Sequence, residues 1–287
     1  MLFRSTAVIT HHLGQLLYAG PAARLAGARL IHVEHEYYTL QSSRAKKLLR
    51  ASARLVECVV AVSEEVAEFL VGTVRVPRAK VLVIRNGVDV ARFTPSIASM
   101  RRGLGIPPDV PVLGTVGRLD PAKDHLTLLQ AFRRVREAVP SAQLVIVGEG
   151  SCRGDLEAFI ARHHLQDSVH LLGERWDIPA LMACMDVFAL SSINEGLPLA
   201  LLEAMACERP VITTDVGAAG VVVRRAGAGL VVQPQDAGAL AGAAITVLED
   251  RELARRFGAS GRKVAEERYN LTTTLDSYLT LCGQGDA

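Results

Sequence analysis

The chain has 287 residues, 49% apolar and 22% charged, with 24 glycines. That length holds two ordinary domains, and the composition excludes disordered, fibrous and collagen-like classes. No apolar run reaches the ~18 residues of a membrane span, since Arg24 breaks the best stretch around Leu13–Ile31.

No signal peptide is expected, because Arg4 is followed by neither an unbroken apolar block nor a cleavage site. The five cysteines are scattered and form no CxxC pair. They fit small core side chains in a reducing compartment, with the cytoplasm as the expected location. The net charge of +2 hides an asymmetry: residues 1–95 carry 13 Lys+Arg and 7 Asp+Glu, the remainder 19 and 23. Part of the excess lies in SRAKKLLRASAR, where Lys46, Arg50 and Arg54 recur at i, i+4 and i+8 on one helical stripe. A solvated face accounts for it; so does peripheral contact with an anionic membrane or acidic substrate groups. Nucleic acid is not an expected partner, there being no basic tail and no basic–aromatic interleaving.

In chain order, strands are expected at 7–10, 29–33, 58–62, 80–84, 111–116, 143–148, 168–172, 187–190, 210–214 and 229–232. Amphipathic stretches lie between them, among them 125–139 and 153–165. Strand–helix alternation of this kind predicts α/β architecture with parallel sheets. Thr94–Pro111 collects four prolines and no convincing strand. It is read as the linker, giving domains at 1–95 and 96–268 and a C-terminal helix at 269–287 that packs back on the first.

Ligands of open parallel sheets bind beyond the C-terminal strand ends, so the loops there are the candidates. After 111–116 comes GRLDPAKDH, where Arg118 and Lys123 flank a helix start with Asp120 or Asp124 as N-cap. Two cations at a helix N-terminus make an anion site, unless both only pair with those aspartates. After 143–148, Gly148-x-Gly150-x-x-x-Gly154 approaches a dinucleotide fingerprint, with Glu174 about 20 residues on. Its spacing is one residue too long and its loop is not the first of its unit, so a tight turn beside a nucleotide pocket is expected. After 187–190 comes SSINEGLPLALLEAMACERP. Pro198 suits a helix start, which puts Glu195 in the loop and Glu203 inside a helix ending near Ala206. Amides at Gly196–Leu199 would face an anion, with one carboxylate on either side to accept from hydroxyls. Otherwise Glu195 merely stabilises the helix start and Glu203 pairs with a surface arginine. His35 ends a strand in VEHE; a lone histidine is more often structural than catalytic. The pairs His11-His12 and His163-His164 lack metal-ligand spacing.

Together these motifs resemble the retaining GT-B glycosyltransferases of family 4, in the family's order from VEHE and AVSEEV through VIRNGVDVARF, GTVGRLDPAKDHLTLLQAF, LVIVGEG, VHLLGER and DVFALSSINEGLPLALLEAMA to PVITTDVG. The resemblance implies two Rossmann-like doubly wound domains facing a cleft, and retaining transfer of a hexose-type sugar from a nucleotide-diphosphate sugar. The acceptor would be a glycan or lipid-linked molecule of cell-surface polysaccharide or glycolipid synthesis. It implies catalytic roles for His35, Glu195, Arg118 and Lys123. Donor binding falls to Gly117, Arg118, Lys123, Gly148, Gly150, Arg175, Glu195, Gly196, Leu197, Pro198, Leu199 and Glu203. No cofactor is expected; there is no DxD motif for a metal, so Arg118 and Lys123 would neutralise the diphosphate.

Three departures stand out. The match begins at the family's fourth strand, so the N-terminal domain is expected to be incomplete, without its glycine-rich loop. The family's Gly-Gly-x-x-Glu reads Gly217-Ala218-Ala219-Gly220-Val221. Glu208 stands where a glycine normally ends the Glu203 helix, a left-handed position. The alternative to an active transferase is a truncated or non-catalytic fragment that binds nucleotide-sugar without turnover. An NAD-dependent dehydrogenase, resting on Gly148 and Gly150, is the third reading.

Overall fold

The computed structural model describes residues 6–35, 40, 42–96 and 99–283, and forms two compact units. The first takes the described part of Met1–Asn86, Glu195–Leu197 and Thr272–Ala287; the second takes Gly87–Asn194 and Pro198–Leu271. The ten strands found among the described residues are the ten the sequence predicts.

In the first unit, β1 (Ala7–Thr10), β2 (Arg29–Glu34), β3 (Cys58–Ala61) and β4 (Val81–Val83) lie side by side in chain order, all parallel. β3 is buried throughout and β2 almost so, as strands covered on both faces must be. The crossovers run through α1 (Leu13–Leu25), α2 (Ser43–Ser52) and α3 (Glu64–Phe69). Serines open the last two: Ser42 accepts from the Ala45 amide at 3.0 Å and Ser63 from the Val66 amide at 3.2 Å. α2 departs from the predicted stripe. It ends at Ser52, short of Arg54, and Lys46 turns aside, its Nζ 5.8 Å from the centre of the Phe69 ring.

The same unit includes most of α11 (Leu271–Gly283). Thr274 Oγ1 donates to the Arg85 carbonyl at 3.0 Å, and Arg29, bound to Glu57, donates to the Cys282 carbonyl at 2.9 Å. These bonds tie the C-terminal helix to the N-terminal sheet.

The second unit is a six-stranded parallel sheet in the order β10-β9-β8-β5-β6-β7, from β5 (Val112–Val116), β6 (Gln143–Val147), β7 (Val169–Leu171), β8 (Val187–Leu190), β9 (Val211–Thr214) and β10 (Gly229–Val232). The chain winds outward from β5 through β6 to β7, then returns to the other side of β5 and winds outward again. Strand order therefore reverses between β5 and β8, the crevice where doubly wound sheets bind ligands. α4 (His125–Ala138), α5 (Arg153–Arg162), α6 (Ile178–Met182), α7 (Leu199–Ala206), α8 (Gly217–Ala226), α9 (Ala237–Glu249) and α10 (Arg251–Arg268) complete it. Its core runs from Leu113, Leu144 and Ile146 of the sheet into Leu128, Leu129 and Phe132 of α4 and Leu240 of α9. The proline-rich 94–111 stretch contributes one 3-10 turn, Arg101–Leu104, and no strand among its described residues. Arg262 of α10 anchors the segment before it, donating to the carbonyls of Val90 at 3.0 Å and Phe93 at 2.6 Å. Among the described residues no helix is long and apolar enough to cross a membrane.

α7 ends as the glycine-like pattern predicts, but with glutamate. The Glu208 amide bonds the Met205 carbonyl at 3.0 Å and the Arg209 amide bonds Ala204 at 2.9 Å, with Glu208 at φ 56°. This is a Schellman end in which a side chain occupies the left-handed residue. Gly258 of α10 lies against it so closely that a Cβ there would meet the Glu208 carbonyl at 2.3 Å. The left-handed conformation costs an L-residue about 1–2 kcal/mol more than glycine. Glu208→Gly is therefore expected to stabilise the second unit by about 1 kcal/mol, seen as a higher urea midpoint. An unchanged or lower midpoint would mean the position is unstrained.

Candidate functional site

At the switch point the β5 loop is built by its aspartates. Asp120 Oδ1 accepts from the amides of Ala122 at 3.0 Å and Lys123 at 3.2 Å, closing the turn Pro121–Lys123. Asp124, left-handed at φ 47°, opens α4 by accepting from the Thr127 amide at 3.3 Å and its hydroxyl at 2.7 Å. Both aspartates named as alternative caps thus cap, one after the other. Arg118 reaches Asp120 at 3.1 Å while its side chain stays 79% exposed. An exposed pair of this kind is worth about 0–1 kcal/mol, too little to keep the guanidinium from an anion.

Gly148 and Gly150 lie beneath this loop. The Gly117 amide bonds the Val147 carbonyl, the Leu119 amide bonds Glu149, and the Cys152 amide bonds Leu119, each at 2.9 Å. A Cβ on Gly148, at φ +141°, would sit 1.9 Å from the Gly117 carbonyl, and one on Gly150 would sit 2.3 Å from the Leu119 carbonyl. The near-fingerprint is thus a pair of close backbone approaches that seat the Arg118 loop.

The β8 loop meets the same turn. Ser191 Oγ donates to the Lys123 carbonyl and the Ile193 amide to the Ala122 carbonyl, both at 2.9 Å; Thr214 at the end of β9 donates to the Ser192 carbonyl at 2.5 Å. Pro198, extended at ψ 127°, is the N-cap of α7, leaving Leu199 and the amides after it at the open helix end. Glu203 lies one turn inside. Burial pushes its carboxyl above the ordinary 4.5, opposed by Arg92, its nearby cation. Arg92 lies within the quoted VIRNGVDVARF, but only the fold shows which acid it serves.

Arg175 stands after β7, donating through Nε and Nη2 to the two Asp177 carboxylate oxygens at 2.8 and 2.6 Å. That guanidinium holds the Asp177 carboxyl below its usual range. Beside it Trp176 is 83% exposed, an aromatic face that residue spacing alone does not flag. A cavity of about 510 Å³ opens at the opposite edge of this sheet, where Pro111, Asp186 and Pro210 precede β5, β8 and β9. It lies away from the loops just described.

In the first unit His35 follows β2. Its Nε2 shares a 2.9 Å hydrogen bond with His11 Nδ1, and the two rings stack with centres 5.2 Å apart. Burial first, then His11, lowers the His35 pKa below 6.5, so the ring is neutral at pH 7. His11, given no role from its spacing, is brought to His35 by the β1–β2 register, which pairs Thr10 with His32. Glu195, Gly196 and Leu197 also belong to this unit. Glu195 is 6% exposed, and the Leu197 carbonyl accepts from Asn86 Nδ2 at 2.9 Å.

Both parts of the chain resemble known proteins. Residues 96–264 match the model described as Glycosyl transferases group 1, and residues 2–92 match Glycosyltransferase Family 4. The chain is 30% identical over 246 residues to the UDP-Gal:alpha-D-GlcNAc-diphosphoundecaprenol alpha-1,3-galactosyltransferase of Escherichia coli, covering 81% of this chain and 63% of that one. It is 34% identical over 198 residues to the GDP-mannose-dependent monoacylated alpha-(1-6)-phosphatidylinositol monomannoside mannosyltransferase of Corynebacterium glutamicum, covering 64% and 51%. The chain thus spans little more than half to under two thirds of the length of these relatives. Sucrose-phosphate synthase from Thermosynechococcus elongatus superposes with a TM-score of 0.85 at 25% identity, covering 96% of this chain and 73% of that one.

Proposed function

The chain belongs to the glycosyl transferases group 1 family, of GT-B fold, and from that premise we propose that it transfers a sugar from a nucleotide-diphosphate donor to a glycan or lipid-linked acceptor, with retention. The observation that carries this is the strand reversal between β5 and β8, which gathers Arg118, Lys123 and the open end of α7 in one unit.

The chemistry follows from charge. As the bond from the anomeric carbon to the diphosphate oxygen breaks, negative charge grows on the leaving group. Arg118 supplies a fork, Lys123 a point charge and the α7 amides a dipole to receive it. The acceptor oxygen bonds the anomeric carbon on the face the diphosphate leaves, and its proton passes to a leaving phosphate oxygen. Glu195 takes the hydroxyls of the transferred sugar and Glu203 those of the ribose. Trp176 presents a flat face to the base. His35 is assigned to the acceptor side, in the first unit. A donor named by UDP-Gal in one relative and by GDP-mannose in another supports a nucleotide-diphosphate sugar without choosing the base. The diphosphoundecaprenol and phosphatidylinositol acceptors in the same names support a lipid-linked acceptor in cell-surface synthesis.

Thermal shift with UDP-, GDP- and ADP-sugars tests the donor, a matched one at 100 times its Kd stabilising by about 2.7 kcal/mol. Glu203→Gln should weaken that shift, because the amide replaces one acceptor oxygen with a donor. The same substitution should stabilise the unliganded unit at pH 7, where the folded state bears the penalty of a buried charge. Wild-type donor affinity should fall on acidification with a midpoint above 4.5, since protonation removes the accepting form at a raised pKa. Response to NADH but to none of the three nucleotide-sugars would sink the proposal.

A further inference from the structure

The basic N-terminal third of the chain contains a groove the transferase chemistry does not use. It measures about 260 Å³ and is lined by Lys47, Arg50, Arg54, Arg75 and Lys80, with no carboxylate among its described lining residues. Its volume lies just under the ~300–1,000 Å³ of drug-sized sites and suits a small anion. It lies wholly within the first unit.

The plainest account is that these cations offset the C-terminal end of α2, but the magnitudes do not allow it. A helix end is equivalent to about half a negative charge. Lys80 alone meets it: its Nζ donates to the carbonyls of Ala53 at 3.0 Å and Val56 at 2.7 Å, just beyond the helix. Four cations then remain converging on one small space. Arg75 adds an independent sign. It is left-handed, φ 64° and ψ 40°, in a turn closed by the Val76 amide on the Leu70 carbonyl at 2.9 Å. Glycine would be favoured there by about 1–2 kcal/mol, and the arginine found in its place delivers a guanidinium to the groove.

We propose that this groove is a second phosphate-binding site, separate from the strand-end loops of the other unit. Arg50, Arg54 and Arg75 present forks for phosphate oxygens and Lys47 a point charge. The phosphate comes from a soluble phosphorylated molecule or from a lipid headgroup, and one experiment separates the two.

Inorganic pyrophosphate is titrated calorimetrically into the purified chain, and sedimentation with phosphatidylglycerol or phosphatidylcholine vesicles is measured in parallel. Two classes of pyrophosphate site are expected. Arg118→Ala with Lys123→Ala should remove one and Arg50→Ala with Arg54→Ala the other, weakening it at least about tenfold. Loss of only the first class means the donor reading stands and the groove proposal fails; loss of only the second means the reverse. Arg75→Gly guards against a folding artefact, since it should raise thermal stability while weakening the groove site. Binding to phosphatidylglycerol but not phosphatidylcholine, displaced by pyrophosphate, assigns the lipid source; pyrophosphate binding without vesicle binding assigns the soluble one. Groove variants that bind pyrophosphate like the wild type overturn the proposal, as does vesicle binding that pyrophosphate does not displace.

Discussion

Gly148→Ala is expected to lower the stability of the second unit by about 3–5 kcal/mol and to abolish donor binding with it. The added methyl would sit 1.9 Å from the Gly117 carbonyl and 2.9 Å from its carbon, both backbone atoms that no rotamer change can move. Gly148 also holds φ +141°, a region that L-residues rarely enter, while its amide bonds the Gly173 carbonyl at 2.8 Å. The backbone must therefore shift, and what moves first is the Gly117–Leu119 loop that carries Arg118. Urea unfolding followed by far-UV circular dichroism checks the stability, and nucleotide-sugar thermal shift checks the binding. Gly154→Ala is the internal control: the third glycine of the same near-fingerprint has open space at its Cβ position, and that variant should keep both properties. If Gly148→Ala kept wild-type stability, the close approach would not be what requires glycine.

Those three glycines also mark where the sequence is legible. Alternating apolar runs place all ten strands, because buried parallel strands are short, β-branched and bounded by turn residues. The two acids of SSINEGLPLALLEAMACERP separate correctly into loop and helix, because proline disfavours a helix interior and suits its start, so Pro198 marks the boundary between them. What Gly148 and Gly150 accommodate was not legible, since their partners are backbone atoms some 30 residues earlier in the chain. The basic stripe misled for a related reason. Spacing gives the phase of a helix, not its last residue or its neighbours, so Lys46 went to Phe69 while Lys47, Arg75 and Lys80 joined Arg50 and Arg54. The His11–His35 bond was hidden for want of strand register, and Arg92 as the cation of Glu203 for want of tertiary contact.

Lys123→Ala should reduce turnover about 10²- to 10³-fold, the usual loss for one group that stabilises developing charge, while changing stability by less than about 1 kcal/mol. The two effects separate because main-chain bonds already hold the loop. Asp120 accepts from the Lys123 amide, Ser191 donates to its carbonyl, and the aliphatic part of the side chain passes Gly117, its Cδ 3.8 Å from where a Cβ would be. Lys123→Arg should recover part of the rate, since it restores charge but spreads it over a fork that does not reproduce an ammonium. A readout independent of donor follows from His125, buried at the first position of α4 with a pKa of about 4 that burial and then the Lys123 charge hold down. Removing the ammonium should move the His125 titration upward in proton NMR, showing that the charge was lost without disturbing the helix start. Turnover that survived alongside that shift would remove Lys123 from the chemistry. Turnover lost together with a fall of several degrees in Tm would make the lysine structural.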